Sequence, residues 1–116
     1  MPHPTSPIPY SRRSEKALER YFCAQMRRLG YPCIKQFNPY EAGWPDRLIV
    51  LPRGRVIWVE FKSTGQKPTE LQLQRHTDLR ALYHVVYTVA TREEADTIIR
   101  HILILVDEIN SDYEIL

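Results

Sequence analysis

Cysteine and glycine are scarce in this chain, and it has no long apolar run. Its 116 residues include two cysteines, Cys23 and Cys33, too few and too widely spaced for a disulfide framework or a zinc site. The four histidines, His3, His76, His84 and His101, show no zinc-like spacing. The longest aliphatic runs, residues 48–51 and 102–106, fall far short of the ~20 residues a bilayer span requires. The start, Met-Pro-His-Pro, has no basic stretch leading into an apolar one, so no secretory signal is expected. These absences point to a soluble, reduced, cytoplasmic protein with no membrane contact.

Charge of one sign is also lacking, since the net formal charge is only +2. A histone-like polycation is excluded. The balance is uneven, however: Asp107, Glu108, Asp112 and Glu114 crowd the last ten residues without a base, leaving sixteen bases against ten acids on residues 1–106. That is a mild lean towards a polyanion. The 43% hydrophobic and 26% charged content is that of a globular domain, and the length suits one domain.

The pattern divides the chain into a Pro-rich tail (1–13), a folded domain (14–106) and an acidic tail (107–116). Four of the nine prolines fall within the first ten residues, which argues against regular structure there. A first helix is predicted over 14–29, with Ser14 as N-cap, Gly30 as the stop, and Leu18, Phe22, Met26 and Leu29 as one apolar stripe. Glu15 sits at the end of that stripe. A strand over 33–37 and a turn-rich loop over 38–44 follow.

Residues 47–51 and 55–62 read as hairpin arms around Pro52-Arg53-Gly54, a three-residue loop with a type I turn and a left-handed Gly. That loop length places Leu51 opposite Arg55, and therefore Asp46 opposite Glu60. Alternation then puts Asp46, Leu48 and Val50 on one face with Val56, Trp58, Glu60 and Lys62. The apolar part of that face is expected to pack under the first helix. Thr69 caps a second helix to about residue 82, residues 84–89 form a strand, and Thr91 caps a third helix to about residue 103. The order αβββαβα implies an α/β fold with a mixed central sheet flanked by helices.

Asp46, Glu60 and Lys62 are the residue types that metal-assisted phosphodiester hydrolysis needs. Mg²⁺ or Mn²⁺ takes hard oxygen ligands and keeps several waters, so two carboxylates and a phosphate suffice, with the Phe61 backbone carbonyl as a further oxygen. The ion would polarise the phosphate and acidify the attacking water. Lys62 puts a positive charge where charge develops on the phosphoryl oxygens.

The run Glu15…Gly30, Gly43-Trp44-Pro45-Asp46, Glu60-Phe61-Lys62 and Thr69-x-x-Gln72 resembles the virus-type replication-repair nuclease (VRR-NUC) domain of the PD-(D/E)XK superfamily. The resemblance spans about residues 14–100. It implies a restriction-endonuclease-like αβββαβ core in which Asp46 and Glu60 hold the metal and Lys62 acts beside them. It also implies that Glu15 joins through a metal-bound water and Gln72 from the second helix. Single-domain members imply a phage setting, a homodimer, and branched DNA such as four-way junctions as substrate. Pro68, where members often carry an aliphatic residue, departs from the pattern.

Each assignment has a plainer competitor. Asp46 after Pro45 is also a turn residue, Glu15 also offsets a helix dipole, and Gln72 also completes a capping box with Thr69. Arg12, Arg13, Lys16, Arg20, Lys67 and His76 are read as DNA contacts; a solvated basic face is the alternative. Tyr40 and Trp44 suit either an unpaired base or the edge of the core. The functional expectation is a metal-dependent DNA endonuclease, the alternative a nucleic-acid-binding module on a nuclease fold with little activity alone.

Overall fold

The computed structural model describes residues 10–115, with side chains over 14–112. Residues 1–9 of the Pro-rich segment and the side chains of Arg12, Arg13 and Glu114 lie outside that description, while residues 10–13 belong to the first helix. The first helix, α1, spans Tyr10–Arg28 and so begins a turn before Ser14, the expected cap. Nothing between residues 10 and 29 is Pro or Gly, so no residue there forces a later start. It ends as expected. Gly30 takes φ +92°, and Tyr31 N–H bonds back to Met26 O at 2.9 Å, which satisfies a carbonyl of the last turn.

Three strands follow: β1 (Cys33–Lys35), β2 (Arg47–Val50) and β3 (Val56–Phe61). The β2–β3 register pairs Val50 with Val56 and Arg47 with Val59, as the loop length required. The turn itself differs. Arg53 (φ 62°) and Gly54 (φ 73°) are both left-handed, closed by Arg55 N–H to Pro52 O at 3.3 Å. Such a pair has the primed geometry that matches strand twist better than type I.

Helix α2 (Glu70–Ala81) carries the chain over to β4 (Val85–Val89), which lies parallel to β3, giving the order β1-β2-β3-β4. The chain closes with α3, Arg92–Ile115. Instead of stopping near residue 103, this helix takes in the acidic end. Ala95, Ile98, Ile102, Val106 and Ile109 form one buried stripe along it, while Asp107, Glu108 and Asp112 face outward.

The face of the sheet under α1 is not the expected one. Ile49, Leu51, Ile57, Val59 and Phe61 are buried there, and Phe61 meets Phe22 edge-on with centroids 5.6 Å apart. Leu48, Val50, Val56 and Trp58 lie on the opposite face with Asp46 and Glu60, on the side of α2. Both sets are apolar at alternate positions, so alternation fixed membership of a face but not which helix covers it. The set with no carboxylate among its members took the deeper core. Cys23 and Cys33, which their spacing left unpaired, are bridged between α1 and β1 with Cα atoms 5.6 Å apart. The reversal at Gly30 brings them together.

Candidate active site

The hairpin does the first part of the assembly. Its register, continued past the last paired rung, sets Asp46 opposite Glu60, and Asp46 Oδ2 accepts the backbone N–H of Phe61 at 2.8 Å. That bond holds the Asp46 carboxylate across the end of β3. Lys62 follows at once, its own N–H donated to Val89 O at 2.8 Å and its Nζ 3.8 Å from Glu60 Oε2.

Glu60 is the most unusual side chain among the described residues. It is 1% exposed, a carboxylate in the interior. Its Oε1 lies 3.1 Å from Nε2 of His76, which reaches down from α2. Its Oε2 is the one buried side-chain oxygen or nitrogen, among the described residues, with no hydrogen-bond partner. Burying a carboxylate oxygen without a donor is costly unless a cation meets it. His76 therefore supports Glu60. With only 2% exposure it does not present its ring to a DNA backbone, as the sequence had suggested.

Both carboxyls titrate above their ordinary range. Burial raises Asp46, only partly opposed by the Phe61 N–H bond, and Glu19 adds to the rise. Burial likewise raises Glu60, opposed by the hydrogen bond and charge of His76 and by Lys62. Two mutually repelling, desolvated carboxylates form a donor set that gains from a divalent cation. Among the described residues no three His, Cys, Asp or Glu side chains gather at one point. The fit thus rests on two carboxylates plus main-chain oxygen and solvent, the economy Mg²⁺ favours.

The remaining expected residues are placed as follows. Gln72 Oε1 accepts Thr69 N–H at 2.8 Å while Thr69 Oγ1 accepts Gln72 N–H, a complete capping box that leaves the Gln72 amide nitrogen outside it. Glu15 is half-buried on α1. One turn later, Glu19 is the α1 acid that sequence reasoning passed over. It is 8% exposed, bonds Arg47 Nε at 2.6 Å and Lys35 Nζ at 3.4 Å, and lies near enough to Asp46 to raise it. Glu15 and Glu19 share a helix face, so spacing could not separate them; the alternating Arg47 beside Asp46 was the available signal. Lys16, Arg20 and Lys67 are exposed.

No protein-family model matches the chain. A phage protein does: "Putative nuclease p44" of Acyrthosiphon pisum secondary endosymbiont phage 1 is 38% identical over 79 residues, 68% of this chain and 85% of that protein. A solved structure described as a VRR_NUC domain superposes with a TM-score of 0.71 at 30% identity, covering 76% of this chain and 96% of its own. The chain belongs to the VRR-NUC family. It is therefore a nuclease-family protein with a mixed four-stranded sheet and flanking helices, as the sequence resemblance implied. Among the described residues of this VRR-NUC chain, no helix is long and apolar enough to cross a membrane.

Proposed function

We propose that the chain is a Mg²⁺- or Mn²⁺-dependent endonuclease that hydrolyses DNA phosphodiesters, with Asp46, Glu60 and the Phe61 carbonyl as the metal-holding set. The buried Glu60 Oε2 carries this reading, because it receives no hydrogen bond and has only the Lys62 ammonium, 3.8 Å away, to offset its charge. A bound divalent ion supplies Lewis-acid polarisation of the phosphate and acidifies a water. The chain's own residues do the rest. Phe61 N–H fixes the Asp46 carboxylate, His76 fixes that of Glu60, and Lys62 places an ammonium beside the phosphoryl oxygens as their charge grows. Glu15 acts from α1 through water, and Gln72 from the start of α2. Lys16, Arg20 and Lys67, with Arg12 and Arg13, track the backbone.

Branched or structured DNA, such as four-way junctions or flaps, is the substrate, cut during replication, recombination or repair. The phage origin of the relative supports a phage-encoded protein acting in the host cytoplasm. One site per chain makes a two-fold dimer the economical way to cut both strands symmetrically. Sedimentation at micromolar concentration is expected to show a species of twice the 13.7 kDa chain mass; a monomer would contradict symmetric resolution.

Incubation with labelled linear, flap, four-way and RNA substrates, with Mg²⁺, Mn²⁺ or chelator, tests the whole reading. Metal-dependent cutting, strongest on branched DNA, is expected; salt-sensitive binding without cutting of any substrate would replace it with the binding-module reading. Gln72 needs a test of its own, since capping and catalysis share the side chain. Thr69→Ala is expected to cost about 1 kcal/mol of stability with little loss of cleavage. Gln72→Glu keeps an acceptor for Thr69 N–H, so it should retain stability yet cut about tenfold more slowly. Full activity in Gln72→Glu protein would leave the residue as a cap alone.

A further inference from the structure

The loop that leads into Asp46 holds two rings that the fold does not use. Phe37 is 83% and Tyr40 94% exposed, against a third aromatic, Trp44, which is absorbed by its neighbours. Trp44 lies 6.2 Å from Trp58 between ring centroids, under the Arg75 guanidinium at 4.5 Å. The two readings of this loop are thus divided between its residues. Trp44 is core edge, and Phe37 and Tyr40 face solvent.

Single exposed hydrophobes are ordinary, but this pair is displayed on a braced backbone. Asn38 Oδ1 accepts both Tyr40 N–H at 3.0 Å and Glu41 N–H at 3.1 Å, which sets the turn between the rings. Arg75 Nε donates to Ala42 O at 3.1 Å, tying the loop to α2. Gly43 (φ +92°) lies so close to α2 that a Cβ there would meet Leu71 Cγ at 2.7 Å. At its base, Gln36 N–H bonds to Asp46 O at 2.8 Å, so the loop starts and ends beside the proposed metal set. Lys35, on the strand just before, adds an exposed ammonium.

We propose that Phe37 and Tyr40 form a stacking platform for unpaired bases of the strand whose phosphate lies at Asp46 and Glu60. It rests on the nuclease reading for the identity of the ligand and deepens it by naming the feature recognised. Bases in a duplex have both faces covered by their neighbours, whereas bases at a fork, flap or junction expose a face. A ring can stack only on the latter, and does so with any base. Because the loop is already ordered, binding does not have to order it first.

The experiment is fluorescence anisotropy in chelator with single-stranded, forked and blunt duplex DNA, using wild-type and Phe37→Ala/Tyr40→Ala protein. Both residues are exposed, so the fold is not at risk. The double variant is expected to lose about tenfold affinity per ring for unpaired strands and less than about twofold for blunt duplex. A 2-aminopurine in the unpaired arm should be quenched by wild-type protein and not by the variant, and Phe37→Trp/Tyr40→Trp should restore both signals. Equal losses on all substrates, or none, would overturn the platform. So would loss of self-association with unchanged DNA binding, which would assign the rings to a contact between copies. The two readings fail separately: metal-dependent cutting of duplex tests the nuclease, and the ratio of affinities tests the platform.

Discussion

Asp46→Asn protein is expected to keep its fold and to cut DNA about a thousandfold more slowly than the wild type, or more slowly still. The substitution removes a charge and almost nothing else. An Asn oxygen can still accept the Phe61 N–H that the Asp46 carboxylate accepts at 2.8 Å, so the hairpin end stays closed. What is lost is the charged ligand opposite Glu60. Lys62→Ala should fall by about a hundredfold or more, since its ammonium stabilises charge only as the reaction proceeds, with little effect on metal binding. Single-turnover rates at saturating Mg²⁺ separate the two. Undiminished metal-dependent cutting in either variant would sink the assignment of that residue.

Glu60→Gln is expected to abolish cleavage and yet make the metal-free protein more stable at neutral pH. Glu60 is a carboxylate kept in the interior with one oxygen lacking a donor. Replacing it with an amide removes the buried charge while retaining an atom within reach of His76 Nε2. Gains of about 1 kcal/mol are typical when a functional, destabilised group is neutralised, equivalent to roughly 3–5 °C in a chain this size.

The pH dependence follows from the same burial. The folded protein raises both carboxyls above their unfolded-chain values of 3.8 and 4.5, so between the two states it binds more protons than the unfolded chain does. Stability from this pair is therefore fully present below those unfolded values and is lost as pH rises through the folded ones. Metal-free wild type should become relatively more stable on mild acidification than Asp46→Asn/Glu60→Gln protein, as read from urea midpoints. Mn²⁺ at neutral pH should raise the melting temperature of the wild type and not that of the double variant. Identical urea–pH curves for the two proteins would contradict the burial account.

How far the sequence carried these conclusions depended on the kind of signal. Pro52-Arg53-Gly54 fixed the number of residues between the arms, so the pairing of Asp46 with Glu60 was legible even though the turn type was not. The covering helix was not legible, because Leu48, Val50, Val56 and Trp58 are as apolar as Ile49, Leu51, Ile57 and Val59. Only packing against Phe22 decides between them. The length of α3 was legible in principle. Its buried stripe continues at Val106 and Ile109 without a helix breaker, and the density of acids around it obscured the pattern. His76 shows the limit of local reasoning. Its place one turn after Gln72 suggested a DNA contact, but only the α2 crossover reveals that it points inward at a carboxylate sixteen residues away. Glu19 is similar, since its role on α1 comes from Arg47 on β2.

Counting bound Mn²⁺ by electron paramagnetic resonance tests the central claim most directly, because it reads the metal set without relying on a choice of DNA substrate. One ion per chain is expected to leave the free-ion signal of wild-type protein, and none in the Asp46→Asn/Glu60→Gln variant, with Lys62→Ala binding as the wild type does. Equal uptake by wild type and the double variant, or no uptake by either, would contradict a divalent metal held between Asp46 and Glu60.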